Sequence, residues 1–318
     1  MQTGLSLDVT NYLNQKADEM PDVVDEMGNE ITMCDNKSVH LPNYYVRFFS
    51  IGAASIDPGV NVQDESLEMT RNELLLLMLT FANIKKEDDC FKPIHIPLVD
   101  LCRRVGVELS GSTDYKAWAK TILRLASRLM IFVDENEVIT FCPYFSTCRL
   151  DPRDKMVTMK INPDLSHIFL NVCRDKTVFQ FGYLRQLSSS NTMLFYLLCS
   201  SARIGNYSLL VNMEHLKRTH GYAGETKHFI SDVLLPGLYE INEKTNLKVS
   251  LEYARSGRAI NAVRLFVGEK TTSEMLLAKV GPENKRQARV KRLTQDQKKS
   301  LFLNDSERPK QKEIMIGF

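Results

Sequence analysis

The sequence predicts an α+β fold, rich in helix with small antiparallel sheets, in which one supersecondary unit occurs twice in tandem. Three observations carry this prediction. A grammar of short strand, short helix, turn, longer helix and hairpin begins at "IHIPLVDLCRRVGV" from Ile94 and again at "LLVNMEHLKRTHGY" from Leu209. In both copies the apolar spacing changes from helical period to two-residue alternation at the same point of the order. At 318 residues the chain is long enough for about two domains, each with its own core.

Residues 1–38 are polar, without sustained period, and are expected to form an acidic mobile arm. Residues 1–65 hold eleven acidic and three basic side chains, a net −8, which leaves +10 on the other 253. This polarity fits an acidic arm preceding a body suited to a polyanion, and fits an ordinary solvated surface as well. Hydrophobic residues at 43% and charged residues at 25% exclude gross disorder and fibrous classes. The apolar run from Leu74 is too short for a bilayer, no signal peptide is expected, and the seven scattered cysteines contain no C-x-x-C pair. They are read as reduced thiols of a cytosolic protein.

The first domain is expected over residues 39–175. A leucine-rich helix follows Thr70, a plausible N-cap with Glu73 as its capping-box partner. In the first copy of the grammar, Leu98, Leu101, Cys102 and Val105 mark one helical face before Gly106 stops it. The helix "DYKAWAKTILRLASRLM" then places Trp118, Ile122, Leu125 and Leu129 in one buried stripe, and "IFVDENEVITF" reads as a hairpin.

The second domain is expected over residues 176–270. Without a gap, Ile96 matches Val211, Leu98 matches Met213, Leu101 matches Leu216 and Gly106 matches Gly221. Asn212 is the expected N-cap. "TKHFISDVLLPGLYEI" then places Phe229, Val233 and Ile241 where Trp118, Ile122 and Met130 stand, with Pro236 expected to kink the helix. A longer hairpin meets around "ARSGR". Residues 271–318 form a basic tail, with Lys285, Arg286, Arg289, Lys291, Arg292, Lys298 and Lys299 against Asp296 in "KRQARVKRLTQDQKK"; it either adds sequence-independent affinity or is disordered.

This order of elements is that of a winged helix-turn-helix, in which the second helix enters the major groove and the hairpin, or wing, approaches the flanking backbone. The candidate contacts in the first unit are Lys116, Lys120, Arg124 and Arg128, four like charges at i, i+4 that repel one another unless a polyanion or other partners face them. Arg103 and Arg104 end the preceding helix, where the helix dipole alone would favour them. In the second unit the candidates are Lys217, Arg218, Lys227, His228, Ser231 and Asp232, with Arg255 and Arg258 at the wing tip. Ser231 suits a base or a phosphate, and Asp232 suits a cytosine amino group. No phosphate-binding loop, paired catalytic histidines or metal-ligand spacing occurs, so no enzymatic activity, metal or cofactor is expected.

The stretches "LEMTRNELLLLML", "KINPDL", "SSSNTMLFYLLC" and "HFISDVLLPGLYEINEKTNLKVSLEYARSGRAINAVRLFV" resemble the plasmid replication initiators that bind iterons through tandem winged-helix domains. The resemblance covers about Leu67 to Val267. It implies duplex binding at directly repeated origin sites, autorepression as a dimer, recruitment of a host initiator, helicase and chaperones, and a cytoplasmic, plasmid-associated location in a bacterium. It also implies that the first unit supplies the dimer surface and some DNA contacts, and the second the main groove contacts. One departure is that Ile230-Ser231-Asp232 stands where relatives often carry basic residues. The same motifs also fit a tandem winged-helix transcriptional repressor with no replication role.

Overall fold

The computed structural model describes residues 38–42, 69–84, 88–107, 112–133, 139–151, 153–170, 176–203, 207–271, 293–302 and 312–316. By contact the chain divides into two units, one built on residues 72–171 and one on residues 37–71 and 172–318. The acidic arm up to residue 37 lies outside the described residues, as do residues 272–292, which carry six of the tail's basic side chains. The first described strand, β1 (Ser38–Pro42), goes with the second unit, although the sequence places it in the first domain. It pairs antiparallel with residues 176–180, and Val39 and Leu41 are buried there.

In the first unit, α1 (Arg71–Phe81) carries the leucine run, and every side chain from Glu73 to Phe81 is buried. The first copy of the grammar follows as β2 (Ile94–Pro97), α2 (Leu98–Arg104), α3 (Ser112–Ala126), β3 (Leu129–Val133) and β4 (Ile139–Pro143). Gly106 takes φ +77° after α2, a left-handed conformation that lets the chain leave a helix and that a side chain resists. Trp118, Ile122 and Leu125 are buried as the spacing predicts. Leu129 departs from the expected stripe at 44% exposure. The helix ends three residues earlier, where Ser127 Oγ donates to the Arg124 carbonyl. Two-residue alternation has then begun, so Leu129 faces out and Met130 faces in.

Two further strands, β5 (Phe145–Asp151) and β6 (Met156–Ile161), form a sheet of order β2-β6-β5, while β3 and β4 pair only with each other. In the β5–β6 connection Lys155 takes φ +52°. Its carbonyl accepts from the Leu98 amide at 2.8 Å, satisfying a donor that the first turn of α2 leaves without an intrahelical partner. A single-turn α4 (Ser166–Phe169) closes the unit, with Phe169 4.5 Å from Phe81 between ring centres.

The second unit contains β7 (Lys176–Gln180), α5 (Phe181–Gln186) and α6 (Ser190–Arg203), then the second copy: β8 (Tyr207–Asn212), α7 (Met213–Thr219) and a long composite helix. Asn212 caps α7 as expected, its Oδ1 accepting from the His215 amide at 3.1 Å, and Gly221 leaves α7 at φ +59°. The composite helix is α8 (Thr226–Phe229), a π-turn over Ile230–Leu234, and α9 (Leu235–Lys244). The irregularity expected of Pro236 thus takes the form of a widened turn. Proline has no amide to bond its i−4 carbonyl, and its ring crowds that carbonyl, so the helix opens to an i→i−5 bond from Leu235 to Ile230 just before it. The wing follows as β9 (Leu247–Ser256) and β10 (Ala259–Glu269).

The apolar positions matched between the copies are all buried: Ile96 and Val211, Leu98 and Met213, Leu101 and Leu216, Trp118 and Phe229, Ile122 and Val233. Part of the tail, read as either disordered or DNA-binding, is folded. Its segment 293–302, with α10 (Gln295–Lys299), buries Leu293 and Leu301, and β11 (Lys312–Ile316) joins the wing sheet in the order β11-β8-β10-β9. No helix among the described residues is long and apolar enough to cross a membrane.

Candidate nucleic-acid interface

In the second unit the amino-terminal half of the composite helix turns Lys227, His228 and Asp232 to solvent, while Phe229, Ile230, Val233 and Leu234 enter the core. Lys227 Nζ lies 2.7 Å from Glu225 Oε2, and this neighbour holds the Glu225 carboxyl below its ordinary range. Both side chains are largely exposed, so the pair is weak and a phosphate can displace it. Ser231 is half-buried, with Oγ 2.8 Å from Asp232 Oδ1 and 3.2 Å from the His228 carbonyl. Its hydroxyl therefore orients the Asp232 carboxylate rather than projecting toward a ligand. Arg255 and Arg258 are exposed at the wing tip, Arg255 near the end of β9 and Arg258 within the Gly257-Arg258 turn, and form no ion pair among the described residues.

Arg218 is exposed on α7, but Lys217 is not an interface residue. It is buried, with Nζ 2.9 Å from Glu214 Oε1, because α7 turns that side of the helix inward. His220, which follows α7, is buried between Phe195 and Phe229, at 4.2 and 5.9 Å between ring centres, with Nδ1 3.1 Å from Asn191 Oδ1. Burial pulls its pKa down to about 3, so the ring is neutral and apolar in role. It packs between α6, which carries Phe195, and the composite helix, which carries Phe229.

The cationic stripe expected in the first unit does not form as a stripe. Arg128 is 7% exposed, and its guanidinium donates to Glu73 Oε2 at 2.8 Å, while Arg124 Nε lies 3.5 Å from Glu73 Oε1. The cause is Glu73 at 0% exposure, because a carboxylate buried this deeply needs charged or hydrogen-bonding partners and finds them in Arg128 and Arg124. Lys120 and Arg124 remain exposed, Lys116 is half-buried, and Arg103 is half-buried 3.7 Å from Asp100. Arg104 is also half-buried, its Nε enclosed without a hydrogen-bond partner among the described residues. Arg128 and Lys217 thus leave the candidate set, and the first unit offers a smaller cationic surface than its sequence predicts.

Sequence reasoning missed Glu240. This buried carboxylate accepts from Ser188 N at 2.8 Å, Ser188 Oγ at 2.7 Å and Lys244 Nζ at 2.7 Å, fixing α9 against the loop before α6. Its i, i+4 spacing to Lys244 was visible, but the partner 52 residues away was not. Among the described residues no group of three or more His, Cys, Asp or Glu is placed to hold a metal ion.

Comparison with known proteins agrees with this arrangement. Residues 60–200 match the family model "Initiator Replication protein, WH1", and residues 212–266 match "Initiator Rep protein, WH2", together more than half of the chain. The solved structure of the Pi initiator protein in complex with iteron DNA has the same fold, with a TM-score of 0.58 at 13% identity, over 74% of this chain and 99% of that one. No curated protein sequence matches the chain. With its two winged-helix units matched in order by the two models, the chain belongs to the replication initiator protein family.

Proposed function

We propose that the chain initiates plasmid replication by binding directly repeated origin sequences in duplex DNA, without enzymatic activity of its own. The carrying observation is the joint presentation, by the second unit, of Lys227, His228 and Asp232 on a helix sized for the major groove and of Arg255 and Arg258 at the tip of the adjoining wing. That the Pi initiator is seen with iteron DNA supports the same ligand class for this fold. Phosphates supply attraction and register, and the groove-facing helix supplies discrimination. Autorepression as a dimer, recruitment of host replication proteins and chaperones, and a cytoplasmic location follow from the family resemblance and complete the proposal.

The test is selection of duplexes from a randomised pool by the full chain, followed by a search for the selected sequence beside its gene. Direct repeats of that sequence which, transferred with the gene, maintain an otherwise non-replicating plasmid support the proposal. A selected sequence found only at promoters, with no plasmid maintained, identifies a repressor instead. Supercoiled DNA cut by the chain in the presence of a divalent metal would overturn the non-enzymatic role.

A further inference from the structure

Both family matches end before the carboxy-terminal segment, yet that segment touches both elements that present the candidate DNA contacts. Thr294 and Gln297 form a reciprocal capping box at the start of α10. The Gln297 amide that completes this box also donates through Nε2 to the Tyr239 hydroxyl of α9 at 3.1 Å. Four residues on, the Leu301 carbonyl accepts from the Leu251 amide at 2.8 Å, on the edge of β9 that no strand among the described residues covers. Phe302 packs edge-on against Tyr253, 5.1 Å between ring centres, while Leu251 and Leu301 are fully buried. On the opposite edge of the same sheet β11 pairs in parallel with β8, and Glu313 takes both Arg264 Nε and Nη2, at 3.2 and 3.1 Å.

From this geometry we infer that the segments 293–302 and 312–316 are a clasp which sets the lean of the wing against the groove-facing helix, making Gln297, Leu301 and Phe302 positioning residues for DNA recognition. The placement of the contacts carries the inference. Leu251 and Tyr253 lie just before Arg255, so the clasp grips β9 at the root of the wing and leaves the tip projecting. Between Ile260 and Ala262, opposite Arg255 and Ala254, the register shifts, a bulge on the tip side of the clasped residues that loosens the ladder and gives a brace just below it something to fix. Tyr239 sits on the same composite helix that presents Lys227 and Asp232. A brace from Tyr239 to Tyr253 therefore fixes the distance between the two DNA-facing elements. A wing tip free to swing would spend part of its phosphate attraction on being ordered.

The inference rests on the DNA-binding reading, and its test separates the two. The full chain with Phe302→Ala and Tyr239→Phe is compared with wild type in the background of Arg255→Ala plus Arg258→Ala, using the duplex selected by wild type and a scrambled duplex of equal length. The clasp variant is expected to lose about tenfold in affinity for the selected duplex, and in it the arginine pair should matter less than about twofold, because the tip no longer sits on its phosphates. Equal arginine effects in both backgrounds would overturn the inference, since a merely stabilising tail leaves that coupling untouched. Amide hydrogen exchange without DNA reads the brace directly: exchange at Leu251 to Arg255 should accelerate in the clasp variant while the amides of α6 stay protected, and an unchanged pattern again overturns it. If Phe302→Ala fails to fold, Tyr239→Phe with Gln297→Ala, which removes the contact with Tyr239 and one exposed arm of the α10 capping box, carries both comparisons. Should wild type select no duplex, the DNA-binding reading fails, and exchange alone decides whether the clasp holds the wing.

Discussion

Replacing Arg255 and Arg258 together by alanine isolates the attraction that the wing supplies. Both guanidinium groups are exposed at a hairpin tip and form no ion pair among the described residues, so the fold should lose no more than about 0.5 kcal/mol. If each neutralises one phosphate, the dependence of log affinity on log salt becomes shallower by about 1.8, at about 0.9 per contact. Across a fourfold salt range, from about 50 to 200 mM, that slope is worth about 12-fold. The deficit of the double variant should therefore be largest at low salt and narrow by about that factor at the top of the range. It should also fall equally on selected and scrambled duplexes, because phosphate contacts carry no sequence information. Fluorescence anisotropy titrations over a salt series check both points. A parallel pair of salt lines, or a loss confined to the selected sequence, would refute the assignment of the wing to phosphate.

Asp232→Asn should change base preference, not general affinity: a carboxylate accepts from the cytosine amino group, whereas an amide suits adenine, with about 1–3 kcal/mol of discrimination at one position. Repeating the duplex selection with the variant checks this, and an unchanged profile removes Asp232 from base readout. Arg128→Ala should cost about 3 kcal/mol of stability by removing the closer and more buried of the two guanidinium partners of Glu73, whereas Lys120→Ala should stay within about 0.5 kcal/mol, as urea denaturation can compare. Acidification should destabilise the second unit through His220. Its folded pKa of about 3 lies below the ordinary 6.5, so the unfolded chain binds the proton first and stability falls as pH drops from 6.5 toward 3, by up to about 1.4 kcal/mol per pH unit. Thermal melting of His220→Gln over the same range should lack that slope.

The duplicated grammar was legible because burial imposes a period on the sequence. Trp118 and Phe229, or Ile122 and Val233, announce their faces by spacing alone, and Gly106 and Gly221 announce the two helix ends by conformational need. The interface was less legible because charge has no such signature. Arg128 and Lys120 belong to one i, i+4 series, and what separates them is Glu73, 55 residues from Arg128 in sequence. Lys217 and Arg218 are neighbours with the same charge, but one step around the helix puts the first indoors. The folded part of the tail was hidden for another reason. Its basic composition signals solvation, while the anchors, Leu293 and the adjacent Leu301 and Phe302, are too few to set a period.

The remaining distribution of charge implies a division of labour within the second unit. On the composite helix Lys227 is shared with Glu225, the Ser231 hydroxyl is engaged within the helix, and Asp232 is itself acidic. Such a surface gains little from non-specific attraction, and Asp232 repels any duplex that brings phosphate instead of a base edge against it. Attraction must then arise elsewhere in this unit, at Arg218 and at the two wing arginines. An initiator built this way should bind random DNA weakly through the wing and gain affinity only where the sequence offers a donor to Asp232. That separation needs wing and helix to meet the duplex in one fixed geometry, because discrimination by a single acidic residue fails if the helix can tilt away while the wing holds on. The packing of buried His220 on Phe229 and the Glu240 anchor hold the helix from behind, and the contacts of Gln297 and Phe302 hold the wing to it.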